Sequence, residues 1–248
     1  MTQANGTIES MVEGAATYDD AALIRIRGLT KSYWQGTLEV PALRGVDLDI
    51  ADGEFTALAG PSGSGKTTLL NMIGALDEPS GGTLDVAGRD IRGLGKGDAA
   101  DFRLASVGFV FQAYNLVPVL TAYENAEFTL LLRGADPAGR RAVVEPLFER
   151  VGLGDMMDRK PHELSGGQQQ RVAIVRALAT HPRLVLADEP TANLDSVTSE
   201  GLLDLMVELN AELGTTFIFS THDAVVIDRA RRVVELRDGR VHRTRVDP

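Results

Sequence analysis

From Ala22 onward, apolar and polar positions alternate in short runs. Ile24 and Ile26 alternate with Arg25 and Arg27, and Val46, Leu48 and Ile50 alternate with Asp47 and Asp49. A period of two puts one set of side chains on a buried face and the other in water, so both runs predict strands. Phe55 to Ala59 is a short apolar run that ends in a glycine-rich turn, the pattern of a buried central strand, and a helical pattern starts near Lys66. Roughly from Ala113 to Ser165 the chain reads as mostly helical, with Val143, Val144, Leu147, Phe148 and Val151 recurring at helical spacing. A helix from about Gly167, an apolar strand at Leu184 to Ala187, a helix from about Ser196 and a strand at Thr216 to Ser220 follow. Arg232 to Arg243 alternates around Asp238-Gly239, a short hairpin signal. Strand–helix alternation of this kind predicts an α/β fold, a mainly parallel sheet with helices on both faces. Residues 1–21 are polar and acidic without apolar periodicity, so a mobile tail is expected there, ahead of one domain over 22–248.

Composition narrows the picture. The 248 residues suffice for one large α/β domain or two small ones, and 44% hydrophobic with 24% charged residues is an ordinary globular balance. Lys and Arg total 25 against 35 Asp and Glu, a formal charge of −10, so the bulk surface repels nucleic acid and anionic lipid. The absence of cysteine removes disulfides, thiolate metal sites and cysteine nucleophiles together. No basic stretch followed by an apolar one marks a secretory signal at the N-terminus. Leu104 to Tyr123 carries no charge and is long enough to span a bilayer, but Ser106, Gln112, Asn115, Pro118 and Thr121 would strand polar groups in hydrocarbon. It is expected to be a buried strand followed by a functional loop.

The chemistry begins at Gly60-Pro61-Ser62-Gly63-Ser64-Gly65-Lys66-Thr67, which matches the phosphate-binding loop pattern G-x-x-x-x-G-K-[ST] in full. Glycines let the backbone curl so that successive N–H groups point at phosphate oxygens, and the helix that follows presents its positive end to the same anion. Lys66 reaches the β- and γ-phosphates, the Thr67 hydroxyl suits Mg²⁺, and Thr68 continues the cradle. Such a loop needs an acidic partner at the end of another buried strand. Leu184 to Ala187 followed by Asp188-Glu189 supplies it, with Asp188 for the metal and Glu189 to polarise the attacking water.

A third motif decides between families of phosphate-loop proteins. Leu164-Ser165-Gly166-Gly167-Gln168-Gln169-Gln170-Arg171 resembles the signature of ABC ATPases. Physically it is again an anion site, with the Ser165 hydroxyl and the Gly166 and Gly167 amides at a helix start, and by itself it is equally an N-capped helix entry. The resemblance covers nearly the whole chain after the tail. Gln112, in Phe109-Val110-Phe111-Gln112, resembles the Q-loop glutamine that joins the metal and water site to the helical part. Asn193-Leu194-Asp195 resembles the D-loop, and His222, in Ser220-Thr221-His222-Asp223, the switch histidine at the γ-phosphate. Tyr33 sits where the family stacks an aromatic on adenine, with Trp34 as the neighbouring alternative and simple core packing as another.

This resemblance implies a P-loop NTPase of the ABC type, with an antiparallel β subdomain and a helical subdomain at about 113–165 inserted in the core. It implies ATP and Mg²⁺ as cofactors, with Thr67, Gln112 and Asp188 at the metal. It also implies a homodimer in which Ser165 and Gly167 act on the nucleotide of the partner copy, with Gly166, Gln168 and Asp195 among the nucleotide-binding residues. Val40 to Val46, Leu70 to Asp77, and Val107 to Gln112 with Asn115-Leu116 and Glu124-Asn125 are similar to the lipoprotein-release and macrolide-export group. That group implies an FtsX-like membrane permease as partner, docked near Ala113 to Tyr123, and a peripheral place on the cytoplasmic face of the membrane. Gln168 stands where the group often has Glu, and Ala192 where Gly is common. A cell-division ATPase acting on a membrane partner, or a soluble ABC protein acting on nucleic acid, are the alternatives; the charge of −10 argues against the latter.

Overall fold

The computed structural model describes residues 22–246, so the tail expected over residues 1–21 lies outside the described residues. Two sheets organise the chain. The strands β1 (Ala22–Gln35) and β2 (Leu38–Ala51) form a long hairpin, with Ile24 opposite Ile50 and Ile26 opposite Leu48. Ile24, Ile26, Val46, Leu48 and Ile50 are buried, as their alternation requires. Further along, β4 (Gly81–Val86) adds to the other edge of β1, and the two-residue β5 (Arg89–Asp90) to β4, completing an antiparallel sheet of order β2-β1-β4-β5.

The second sheet has order β10-β9-β3-β8-β7-β6. Its members are β3 (Phe55–Ala59), β6 (Val107–Phe111), β7 (Leu184–Asp188), β8 (Thr216–Thr221), β9 (Arg232–Arg237) and β10 (Arg240–Val246). All neighbouring pairs are parallel except the β9–β10 hairpin. Both faces are covered, which is why β3 and β8 read as unbroken buried runs. Phe55, Phe217 and Phe219 point into a core shared with helices α3 (Ala122–Leu132), α4 (Pro137–Arg150), α5 (Gly166–Leu178) and α6 (Ser196–Leu213). The alternate residues Leu58 and Ile218 point the other way, into a core with α1 (Lys66–Ile73) and the antiparallel sheet.

Leu104 to Tyr123, uncharged throughout, comprises the last turn of α2 (Lys96–Ser106), strand β6, a loop over 112–121 and the first residues of α3. Among the described residues no helix is long and apolar enough to cross a membrane. A final short helix, α7 (Ala224–Arg229), follows β8.

Candidate functional site

The parallel strands deliver the motifs to one place. Their register sets Ala59 opposite Thr221, Asp188 opposite Ser220 and Phe111 opposite Asp188. The residues that follow β3, β7, β8 and β6 are therefore the phosphate loop, Glu189, His222 and Gln112, side by side at the carboxyl ends of the strands. Open α/β sheets bind ligands at this edge.

The phosphate loop is fixed by backbone constraints that only glycine satisfies. Gly60 has φ 149°, and a Cβ there would strike the Leu236 carbonyl oxygen. Gly65 has φ 104°, and a methyl in its place would sit 2.8 Å from Leu43 Cδ2 and 2.9 Å from Ala42 O. The tip of the β9–β10 hairpin braces the loop from beneath: the Gly239 N–H donates to Ser64 O at 3.1 Å, and the Arg44 N–H to Gly239 O at 2.8 Å. Asp238 and Gly239 both have positive φ, 50° and 76°, as the two-residue hairpin signal requires.

A cleft of about 580 Å³ opens above this loop, lined by Pro61, Ser62, Gly63, Gly65, Lys66, Thr67, Thr68, Glu189 and His222 together with Val40, Pro41 and Ala42 of β2. Its size suits a nucleotide-sized ligand. Lys66 is buried, and its Nζ donates to Gly60 O at 2.8 Å and Pro61 O at 3.1 Å. Helix α1 starts at Gly65 with no side-chain cap, so its first N–H groups face the cleft without an internal acceptor. Ser64 Oγ is buried without a hydrogen-bond partner inside the same loop.

The acidic pair divides its contacts. Asp188 Oδ1 accepts from the Thr67 hydroxyl at 3.1 Å and from the Ser220 hydroxyl at 2.6 Å. Glu189 holds a left-handed backbone, φ 48°, unusual for a side-chain-bearing residue and the kind of strain concentrated at functional sites. Its N–H donates to Ser220 O at 3.0 Å, and its Oε1 lies 2.8 Å from His222 Nδ1. Hydrogen bonds not announced by the sequence support this geometry: Ser220 orients Asp188, and buried Gln170 donates from Nε2 to Pro190 O at 2.8 Å, tying α5 to the loop that carries Glu189.

Other expected residues stand outside this cleft. Ser165 caps α5 in a box with Gln168: the Gln168 N–H donates to Ser165 Oγ at 3.3 Å, and the Ser165 N–H to Gln168 Oε1 at 2.9 Å. Gly166 and Gly167 allow close packing, since a methyl at Gly166 would meet the Tyr114 hydroxyl at 2.7 Å and one at Gly167 would strike Thr198. Asp195 caps α6 by accepting from Thr198 N at 3.0 Å and Thr198 Oγ1 at 2.6 Å, and these bonds hold its carboxyl below the usual aspartate range. Gln112 is exposed, and its backbone carbonyl accepts from Asn193 Nδ2 at 2.8 Å, joining the two loops. Tyr33 flanks α1: its hydroxyl donates to Asp77 Oδ2 at 2.9 Å, its ring lies under Lys31 Nζ, and burial with the Asp77 contact raises its pKa. Trp34 is two-thirds exposed.

Residues 43–192 match the family model described as ABC transporter. The chain is 49% identical over 219 residues to the lipoprotein-releasing system ATP-binding protein LolD of Anaeromyxobacter dehalogenans, covering 88% of this chain and 92% of that protein. It is 48% identical over 221 residues to the macrolide export ATP-binding/permease protein MacB 1/2 of Paracoccus denitrificans, where it covers 89% of itself but spans only 33% of the relative. Among solved structures it is similar to a dimeric post-hydrolysis state of the ATP-binding cassette MJ0796 bound to ADP and Pi, with TM-score 0.83, 42% identity and coverage of 90% of this chain and 98% of that one. With the phosphate loop, the acidic strand end and the signature helix in the expected order on one such sheet, the chain belongs to the ABC transporter family, as an ATP-binding and ATP-hydrolysing cassette.

Proposed function

We propose that this cassette hydrolyses ATP in the cleft above Lys66 and powers a separately encoded membrane partner of the export or force-transmitting kind, as a homodimer on the cytoplasmic face of the membrane. The observation that carries the reading is the convergence of the phosphate loop, the Asp188–Thr67 contact and the Glu189–His222 pair at the ends of three adjacent strands, β3, β8 and β7.

The chemistry follows from these neighbours. The uncapped start of α1, the loop amides and Lys66 bind the phosphates. The Thr67 hydroxyl and the Asp188 carboxylate are adjacent hard oxygen donors, and Ser220 keeps Asp188 aimed at Thr67. That donor set fits Mg²⁺, which takes one or two carboxylates plus water and phosphate oxygens rather than a cage of acids; no group of three or more His, Cys, Asp or Glu placed to hold a metal occurs among the described residues. When bound there, the ion neutralises charge that develops on the phosphates. Glu189 orients and polarises the water, and His222, hydrogen-bonded to it, fixes the carboxylate and meets the γ-phosphate. Gln112 links this edge to the 112–121 loop, and the Tyr33 ring stacks on adenine. Ser165, Gly166, Gly167 and Gln168 reach the nucleotide of a second copy, with Asp195 beside them at the joint.

Docking is assigned to the loop over 112–121. Asn125, buried on α3, accepts from Val117 N at 2.7 Å and donates to the carbonyls of Val117, Leu120 and Thr121. This clasp presents Val117 and Val119 to solvent, 40% and 73% exposed, as an apolar knuckle for an FtsX-like permease. Two measurements test the proposal. In Glu189→Gln, steady-state turnover falls on the order of 10²–10⁴-fold while ATP still binds; unchanged turnover removes Glu189 from the chemistry. The same variant in ATP captures a permease with few membrane spans, whereas capture of a many-span importer permease contradicts the export reading.

A further inference from the structure

The end of β1 that carries Tyr33 is held by more than its strand ladders. The ladder to β4 stops at the Thr30–Gly81 pair, and the register with β2 shifts between Lys31 and Ser32, an irregularity of the kind that re-aims the side chains beyond it. From there the segment that follows α1 takes over along that edge. The Ser32 N–H donates to Ser80 Oγ at 3.0 Å, and Lys31 Nζ donates to Asp77 Oδ1 and to Glu78 O, both at 2.6 Å.

Lys31 is buried, and a lysine is tolerated there only when its ammonium is matched. Besides its two hydrogen bonds, the ammonium lies over the Tyr33 ring, 4.9 Å from the centroid. The second oxygen of Asp77, Oδ2, accepts from the Tyr33 hydroxyl at 2.9 Å. Burial pushes the Asp77 carboxyl up, but the bonds from Lys31, Tyr33 and the Glu78 N–H outweigh it and hold the group below the usual aspartate range. The ring is therefore fixed at its tip and over one face, which leaves the opposite face for a ligand. Its surroundings belong to the nucleotide cleft: Val40, its register partner, and Thr68, beside its hydroxyl, both line that cleft. Asp77 is also tied to α1, its N–H donating to Asn71 O at 3.3 Å, so the ring and the phosphate cradle ride on one body.

Resting on the adenine stacking proposed above, we infer that Asp77 and Lys31 are positioning residues for the base: they hold the Tyr33 ring in place relative to the phosphate loop, so the stacking surface exists before ATP arrives. A preformed surface spares binding the loss of side-chain freedom that ordering the ring entails, and that gain belongs to the base, not to the phosphates.

The test compares ATP with inorganic tripolyphosphate, which offers phosphates without a base. Each is titrated onto the full chain carrying Glu189→Gln, so that ATP is not consumed. Asp77→Ala is expected to weaken ATP about three- to tenfold and to leave tripolyphosphate within about twofold of the parent. In a Tyr33→Leu background the same substitution adds nothing to the loss of ATP affinity, because the ring that it positions is gone. Tyr33→Phe keeps the ring and the Lys31–Asp77 pair and loses only the hydroxyl bond. It lowers the preference for ATP over tripolyphosphate about two- to threefold, and it carries the measurement should Asp77→Ala not fold. Unchanged ATP affinity in Asp77→Ala, equal weakening of both ligands, an undiminished effect in the Tyr33→Leu background, or a parent-like preference in Tyr33→Phe overturns the positioning role. A parent-like preference in Tyr33→Leu overturns the stacking reading itself.

Discussion

Two glycine-rich helix starts, α1 and α5, look alike in sequence and differ in what they do with their N–H groups. The start of α1 follows Gly65 in a left-handed conformation and has no side-chain cap. The start of α5 follows Ser165, which closes a reciprocal box with Gln168. A helix end must satisfy its first N–H groups somewhere. In α1 the site is turned toward the cleft beside Lys66 and Thr67, ready for a phosphate. In α5 the Gln168 N–H is satisfied within the chain by Ser165, and no residue of the signature lines that cleft. Serine as cap and glycine as spacer therefore do not identify an anion site; the neighbours do.

The largest effect that breaks the likeness lies at α1. Lys66→Ala removes the buried cation from the phosphate loop, and ATP affinity is expected to fall by about 2–5 kcal/mol, read by titration of a fluorescent nucleotide. An unchanged affinity contradicts the assignment of that helix start.

At α5 the cap and the nucleotide contact separate by choice of residue. Ser165→Ala loses the cap and costs about 1 kcal/mol of stability, measured by denaturant unfolding. Ser165→Asp keeps a good cap but sets a negative charge against a phosphate, so stability stays near the parent value while turnover falls about tenfold or more. Equal turnover in Ser165→Asp and the parent makes the signature serine purely structural.

The smallest effect concerns Asp195. Thr198 hydrogen bonds, first from its hydroxyl and then from its N–H, depress the folded-state pKa. A depressed carboxylate pKa contributes stability above the unfolded value of about 4 that is lost as pH falls through the folded one. Asp195→Asn, which retains a capping oxygen, is expected to flatten that part of the acid-denaturation curve; an identical curve assigns the acid sensitivity to other carboxylates.

Legibility in the sequence followed burial and motif density. The phosphate loop, the strand ending at Asp188 and the Asp238-Gly239 hairpin were readable because periodicity and turn chemistry agree there. Tertiary closure was not: nothing local in Gly239 predicts that it braces Ser64, nor in Gln170 that its amide reaches Pro190. The stretch over 77–106 carries β4, β5 and α2, which the pattern does not announce. Helix α2 buries Phe102 alone, so its apolar period is faint, and β5 is two residues long. The helical reading of the middle succeeded at Val144 and Phe148, which face the core, but the motif order could not say that Gln112 is held by Asn193.

The most direct measurement mixes two impaired variants, Lys66→Ala and Ser165→Asp, and follows ATP turnover. If the start of α1 from one copy and the start of α5 from another enclose the same nucleotide, mixed dimers contain one intact site, and turnover reappears on mixing. If both helix starts serve the nucleotide of their own chain, every protomer in the mixture carries a defect, and turnover stays at the level of the separate variants.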